Sequence, residues 1–290
     1  MNKKIVIPII ILLAIGLGFY FKDALFGIYN STARNLQDFN KTELGHMIEE
    51  MKKEILTPPP LNIGGESNDV VLTKARVIAE TNIQRYDNGM LTPLVENAKL
   101  SAAAKAKAED MFLNQYFDHV SPSGVDPGTL VKNAGYNYIV TGENLILGNF
   151  EDEPEVVRLW MESPGHRENI LHERFTEIGV AIVKGTYKGK TAWIGVQEFG
   201  LPFSACDEPS ADLKAKIELN KNTLDQLAVK IENKRDEIER TNRNSPQYNA
   251  LVDEYNQLVA QYNVLNDETK AFIAQYNNQV NNFNNCVSGE

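Results

Sequence analysis

The side chains best suited to metal binding or nucleophilic chemistry in this 290-residue chain are four histidines and two cysteines. Two of the histidines stand in His166-Arg-Glu-Asn-Ile-Leu-His172, which is not the HExxH spacing of a zinc protease. The sequence contains no Gly-x-Ser-x-Gly elbow, no Cys-x-x-Cys pair and no clustered Cys/His set. Local motifs therefore predict neither a serine hydrolase nor a structural zinc site.

The two cysteines, Cys206 and Cys286, stand at the two ends of a helical pattern. Apolar residues recur at alternating steps of four and three after Cys206 and again before Cys286, and Asn244-Ser-Pro246 interrupts them midway. This pattern predicts a C-terminal antiparallel α-helical hairpin, with coiled-coil spacing, over residues 206–286. A disulfide between the cysteines would then close its base, and two free thiols at seam positions are the alternative.

The N-terminus predicts export. An uncharged apolar run of 17 residues covers Ile5–Phe21, which is the lower limit for a helix that crosses a bilayer. The preceding Lys3–Lys4 pair favours a cytoplasmic N-terminus. We therefore predict a single-pass transmembrane signal-anchor over residues 1–23 in the cell membrane, with the bulk of the chain extracytoplasmic. Cleavage near Ser31-Thr-Ala33, which would give a secreted protein, is the alternative.

The rest of the chain divides by composition. Residues 24–69 are predicted to be a stalk and Pro-rich linker, because a helical pattern over Thr42–Leu56 ends at Thr57-Pro-Pro-Pro60. Residues 70–202 combine helical patterns with an antiparallel hairpin, which favours an α+β sandwich. The predicted helices are Thr73–Tyr86, Asn97–Phe117, Asp126–Asn133 and Glu153–Glu162, and the predicted strands are Ile178–Val183 and Thr191–Gln197.

Charge and composition exclude two classes of protein. A hydrophobic content of 42% is enough for a folded core, which argues against wholesale disorder. The formal net charge of −10 argues against a nucleic-acid partner, because phosphate binding requires a basic face.

Residues 70–201 resemble the bacterial branch of the CAP family (cysteine-rich secretory protein, antigen 5 and pathogenesis-related 1, also called SCP or PR-1-like). The resemblance implies a three-layer αβα sandwich with a surface cleft. It rests on blocks that stand in the family's order: Thr81-Asn-Ile-Gln-Arg85, Leu100–Met111, Phe117–Gly124, Gly142-Glu-Asn-Leu145, Trp160–Leu171, Ile178-Gly-Val180 and Val196-Gln-Glu-Phe-Gly200.

The resemblance also implies which residues form the cleft. It assigns the two cleft histidines to His119 and His166, and the first cleft acid to Glu143. The position of the family's second acid is Ser163 here, and Glu162 stands one residue earlier, about 100° away around a helix. We therefore expect two histidines and one carboxylate. The residues expected to flank them are Ser121, Glu162, Ser163, Asn144 and Gln197.

Two imidazoles and one carboxylate could bind a divalent cation such as zinc or calcium, or act as a general acid and base. They could equally hydrogen-bond the loops and keep the cleft in shape. Members of the family include proteases and binders of sterols, fatty acids or proteins, so the fold does not fix the activity.

We expect a non-catalytic module that binds a small molecule or lipid, a cation or a partner protein in its cleft. The hairpin offers a second surface for a protein partner. The alternatives are a metal-dependent, protease-like hydrolase that uses His119, Glu143 and His166, and a structural envelope protein.

Overall fold

A computed structural model describes residues 53–66 and 69–289. The predicted transmembrane anchor and most of the predicted stalk lie outside these residues. Within them, no helix combines the length and the apolar composition needed to span a membrane. The described chain divides into two compact units, one with residues 53–207 and 283–289 and the other with residues 208–282.

The first unit is built around a six-stranded mixed sheet. Its strands are β1 (Glu54–Leu56), β2 (Leu61–Gly64), β3 (Val95–Glu96), β4 (Tyr138–Gly148), β5 (Glu177–Tyr187) and β6 (Lys190–Pro202). The order across the sheet is β1, β4, β6, β5, β3, and β2 follows β1 along the same edge of β4. The pairs β4–β6 and β5–β6 are antiparallel, whereas β1 and β2 run parallel to β4.

Five helices cover the two faces of this sheet. They are α1 (Lys74–Asp87), α2 (Ala98–Asn114), α3 (Pro127–Asn133), α4 (Glu153–Glu162) and α5 (Pro164–Leu171). Helices α2 and α3 pack on one face, and α1, α4 and α5 pack together on the other. The result is the α+β sandwich predicted from the sequence, with helical layers on both sides of the sheet.

The core between α2 and the sheet follows the alternation of side chains along the strands. Leu145 of β4 stands opposite Val196 of β6, and Leu147 stands opposite Ile194. These four residues pack with Met111 of α2 in one buried cluster. The next pair in the same row is polar, and it belongs to the site described below.

The structure extends the sheet into the predicted linker. Residues Glu54–Leu56, predicted as the end of a helix, form β1 because they pair with Val140–Gly142. Leu61–Gly64, predicted as linker, form β2. Long-range pairing supplies these backbone hydrogen bonds, and a local helical periodicity does not reveal it. The first folded unit therefore begins before residue 70.

The hairpin between β5 and β6 is tighter than predicted. The sequence indicated a turn over Lys184–Lys190, but pairing continues to Tyr187 opposite Lys190. Only Lys188 and Gly189 remain in the turn, with φ of 46° and 78°. Glycine adopts such a positive φ without steric cost, so this two-residue turn can join two long strands.

Two helices, α6 (Ala211–Arg240) and α7 (Pro246–Ser288), form the second unit. The last residues of α7, from Phe283 onward, belong to the first unit. Leu213 and Ile217 of α6 pack against Tyr276, and Leu224 and Leu227 pack against Tyr262. Contacts that advance along α6 while they recede along α7 define an antiparallel pair. All six residues belong to the predicted seam. The supercoil implied by its heptad spacing stays a prediction.

A disulfide joins Cys206 to Cys286, with Cα atoms 5.7 Å apart, and confirms the predicted pairing. Both cysteines lie in the first unit. Phe203 and Phe283 make an edge-to-face contact beside it, with ring centroids 5.6 Å apart. Arg174 Nη2 donates to the Val287 carbonyl at 2.7 Å. The end of α7 is thus held to this unit by a covalent bond, a ring contact and a charged hydrogen bond.

Candidate functional site

Of the three residues expected in the cleft, His119 and Glu143 are in contact at the edge of β4, and His166 lies close enough to His119 for its pKa to be affected. His119 lies in the loop after α2, Glu143 in the middle of β4, and His166 in the first turn of α5. Their exposed fractions are 7%, 0% and 1%. Helices α2 and α5 lie on opposite faces of the sheet, so the two imidazoles reach this edge from different layers.

Both ring nitrogens of His119 contact oxygen atoms. Nδ1 lies 2.6 Å from Glu143 Oε1, and Nε2 lies 2.5 Å from the carbonyl oxygen of Pro58. Because a carbonyl oxygen only accepts, Nε2 must carry a hydrogen. The remaining contact then needs a second hydrogen, either on Nδ1 facing a carboxylate or on Glu143 facing a bare nitrogen. His119 and Glu143 therefore share one proton beyond the single N–H of a neutral imidazole.

His166 is held by its own helix start. Ser163 is the N-cap residue of α5, and its Oγ lies 2.8 Å from His166 Nδ1. Burial lowers the pKa of His166 to about 4, and nearby His119 adds a smaller effect in the same direction. The backbone of Leu145 has the opposite effect. The ring is therefore neutral at pH 7. Its buried Nε2 has no hydrogen-bond partner among the described residues.

Sequence reasoning missed two buried charged residues beside this group. Glu198 of β6 stands directly opposite Glu143, and both side chains are 0% exposed. Burial raises the pKa of Glu198 well above its ordinary value, and the nearby charge of Glu143 adds to this rise, which Lys107 partly opposes. Lys107 Nζ donates to the His119 carbonyl at 2.5 Å. The Lys107 charge and the proton that Glu198 keeps thus reduce the repulsion between the two adjacent carboxyl groups.

The sequence did contain a signal for both residues. Ile194 and Val196 are two residues apart on β6 and face the same side of the sheet. Because every second residue of a strand faces the same side, Glu198 is expected to be inside as well. Lys107 lies in an alanine-rich helix, one turn from Ala103 and Ala104, which are buried. A charged residue in phase with a core stripe predicts a buried charge with a partner.

Asn144 and Gln197 face the opposite side of the sheet from Glu143, where they hydrogen-bond α5 and α1. Asn144 Nδ2 donates to the His166 carbonyl and to Gln197 Oε1, both at 3.1 Å. Gln197 Nε2 donates to Thr81 Oγ1 of α1 at 2.8 Å, and Asn169 Nδ2 of α5 donates to Asn144 Oδ1 at 2.9 Å. These buried amides fix α1 and α5 on the sheet and thereby position His166.

The far end of α5 is fixed by a buried guanidinium. Arg85 of α1 is 1% exposed, and its Nη1 donates to the carbonyls of Ile170 and His172 at 2.7 and 3.0 Å. These carbonyls belong to the last turn of the helix, where backbone acceptors lack partners within the helix. Arg85 thus serves as a side-chain cap that sets the position of α5.

The remaining flanking residues contribute less to the cleft. Ser121 Oγ accepts a hydrogen bond from the Val125 amide at 3.0 Å and so closes a turn. The Glu162 side chain is 59% exposed and pairs with Arg158 at 2.7 Å. Ser163, rather than Glu162, therefore reaches a cleft histidine.

The arrangement does not fit a zinc or calcium ion. Protein oxygen atoms occupy both nitrogens of His119, and Ser163 occupies Nδ1 of His166. Across residues 53–66 and 69–289, no group of three or more His, Cys, Asp or Glu side chains is placed to hold a metal. We derive no chemistry through a bound metal.

The sequence of this unit matches a known protein family. Residues 78–199 match the sequence profile of the cysteine-rich secretory protein family, CAP. The chain carries a bacterial CAP domain. The CAP match covers the residues that supply His119, Glu143 and His166.

The relatives share this part of the chain. The uncharacterized protein YkwD of Bacillus subtilis is 44% identical over 109 residues, which are 38% of this chain and 42% of YkwD. The uncharacterized membrane protein YlbC of the same organism is 29% identical over 115 residues, which are 40% of this chain and 33% of YlbC. The chain thus spans less than half the length of either relative.

Among solved structures, an extracellular SCP-domain protein from Bacillus anthracis is 28% identical, with a TM-score of 0.38. The match covers 43% of this chain and 39% of that protein.

Proposed function

We propose that the CAP domain is a non-catalytic binding module displayed outside the cytoplasm, whose ligand occupies the cleft at the β4 edge. The supporting observation is His166 Nε2, which is buried without a hydrogen-bond partner among the described residues. Buried polar atoms are nearly always paired, so an unpaired one at a family cleft marks a position for a ligand atom. Glu143 Oε2, which is also buried without a hydrogen-bond partner among the described residues, supplies a second polar contact.

Binding is favoured over hydrolysis by the state of His166. Ser163 Oγ lies 2.8 Å from His166 Nδ1, which is the contact that a nucleophile and its base would make. A base whose pKa is about 4 takes a proton from a hydroxyl poorly at neutral pH. A serine hydroxyl that only donates to a neutral imidazole makes the same contact. We therefore treat hydrolysis as the second candidate.

The location is proposed from three features. The apolar run Ile5–Phe21 has the length of a membrane anchor, with lysines on its N-terminal side. The disulfide between Cys206 and Cys286 fits an oxidising compartment. The relative YlbC is itself named a membrane protein. The protein partner suggested for the hairpin stays a prediction.

The binding proposal is tested on the full-length chain by titration calorimetry with two probes: palmitate, and a mixture of random 12-residue peptides. We expect saturable binding of one probe that His119→Phe weakens about tenfold or more, because His119 Nδ1 no longer holds the Glu143 carboxyl group in place. Glu162→Gln, at an exposed neighbouring position, should leave the affinity unchanged.

Casein hydrolysis is measured in parallel. Turnover by the wild type that Ser163→Ala abolishes would replace the binding proposal with the hydrolase candidate. Binding of no probe, or binding that His119→Phe leaves unchanged, would refute the proposed cleft.

A further inference from the structure

The chain places one of its own segments across the cleft. This segment, residues 54–64, is called the strap here. Its two ends are β1 and β2, which pair in parallel with β4, Leu56 beside Gly142 and Leu61 beside Ile146. Between these pairs the strap has four residues where β4 has three, so residues 57–60 bulge over the stretch of β4 that begins with Glu143.

Pro58 is the centre of this bulge. It is the one buried residue of the strap. Its carbonyl accepts from His119 Nε2 at 2.5 Å. On the other side it lies against α5, where a Cβ added to Gly165 would come within 2.7 Å of Pro58 Cβ. Pro58 is therefore held between the loop of one cleft histidine and the helix start that carries the other.

The site recognises the strap largely through backbone groups. Asn169 Nδ2 donates to the Leu56 carbonyl at 3.2 Å, in addition to the bond from His119 to Pro58. Strand pairing on both sides supplies further main-chain hydrogen bonds. Such contacts, with one pocket for a side chain, are how proteins bind extended peptides that add a strand to a sheet edge.

The strap is also weakly held compared with the central strands. Every strap residue except Pro58 is at least partly exposed, whereas all eleven residues of β4 are buried. Segments with few buried contacts open at a low free-energy cost. An opened strap would uncover His119 and the unpaired strand edge at Glu143.

We propose that the cleft binds an extended, proline-containing peptide, and that the strap is an internal copy of this ligand which an external peptide displaces. This proposal rests on the proposed binding function and names its ligand class. The proline enters between His119 and Gly165, and the flanking residues pair with β4. Because the strap is tethered, its effective concentration is on the order of millimolar, and it competes strongly with an external peptide.

The test uses a full-length variant in which the strap is released by Ile55→Asp, Pro58→Asp and Ile63→Asp. Ile55 and Ile63 pack against glycines of the domain, Gly128 and Gly148. The aspartate at position 58 replaces the proline ring that packs on Gly165. The probe is a fluorescent synthetic peptide with the sequence of residues 53–64, followed by anisotropy.

We expect the released variant to bind this peptide at least about tenfold more tightly than the wild type does, because the internal competitor is gone. Adding His119→Phe should weaken binding about tenfold. A control peptide carrying Pro58→Asp should bind poorly. A folded released variant that binds the native peptide no better than this control overturns the proposal.

Hydrogen exchange on the wild type keeps the proposal testable if the released variant does not fold. Strap amides should exchange faster than the amides of β5 and β6, through opening that leaves the central strands intact. Equal protection of strap and central strands would show a permanent structural strand and refute displacement.

Failure of this proposal and failure of the binding function look different. If palmitate binds in a His119-dependent manner and the strap peptide does not, the binding function stands and the peptide class is wrong. If His119→Phe alters the binding of no probe, both are wrong.

Discussion

The carboxyl group of Glu198 is placed by its strand where water does not reach it. It stands opposite Glu143 in the row of side chains that faces α2. Two carboxylates in such a place would repel each other without screening by solvent, so one of them keeps its proton. The charge of Lys107 lies near both carboxyl groups and opposes their repulsion.

The raised pKa of Glu198 makes the protein less stable as pH rises. The folded state holds a proton that an unfolded glutamate releases above about pH 4.3, so the folded state binds more protons in the window above it. Glu198→Gln keeps the shape without the titration, and its stability gain over wild type should grow from pH 5 to pH 8. The slope should not exceed about 1.4 kcal/mol per pH unit.

Urea unfolding at several pH values measures this gain. Glu162→Gln is the control, because that side chain is exposed and should change stability equally at all pH values. A gain from Glu198→Gln that is the same at pH 5 and pH 8 would contradict a protonated Glu198.

His166 should act with the opposite sign. Its folded pKa of about 4 lies below the ordinary value near 6.5, so between these values the unfolded state binds the proton and stability rises with pH. His166→Gln should flatten this rise between pH 4.5 and pH 6.5 by less than about 1.4 kcal/mol per pH unit. Urea midpoints across that range would check it, and an unchanged slope would count against a buried, neutral His166.

At the scale of elements, the sequence predicted those with a continuous local pattern. Glu153–Glu162 was predicted with the bounds that α4 has, because an N-cap Asp152 and Pro154 mark its start. β4 was not predicted, although all its residues are buried, because Gly142-Glu-Asn144 interrupts its apolar run. A strand buried on both faces has no polar alternation to reveal it.

The candidate site was predictable only in part for the same reason. Family resemblance named His119, Glu143 and His166, but Pro58 was assigned to a linker. The local sequence of three consecutive prolines does not indicate which strand edge they will cross. That assignment requires the parallel pairing of β1 and β2 with β4, which is a long-range contact.

The two-helix unit allows a direct test of packing. Leu224 is 3% exposed and packs against Tyr262, so Leu224→Ala should destabilise this unit by about 2–4 kcal/mol through lost burial and a residual cavity. Leu219→Ala, on the same helix but 66% exposed, should change stability by less than about 0.5 kcal/mol. Hydrogen exchange of α6 amides reports this unit separately. Equal effects of the two substitutions would argue against the seam.

At the scale of the whole molecule, the chain leaves the CAP-bearing unit at Cys206, forms two long helices and returns at Cys286. The disulfide and the bond from Arg174 to the Val287 carbonyl hold the returning end. The sequence anticipated this closure because both cysteines fall at seam positions on either side of the Asn244-Ser-Pro246 break.

That closure means that a protease cut in the short connection between the helices, residues 241–245, leaves the two fragments attached through sulfur. Such a clipped molecule should migrate as one band in denaturing gels and separate into two when a thiol reductant is added. Fragments that part without reductant would show that the bond is absent in the isolated protein. In the oxidised protein, a cut between α6 and α7 therefore releases neither fragment.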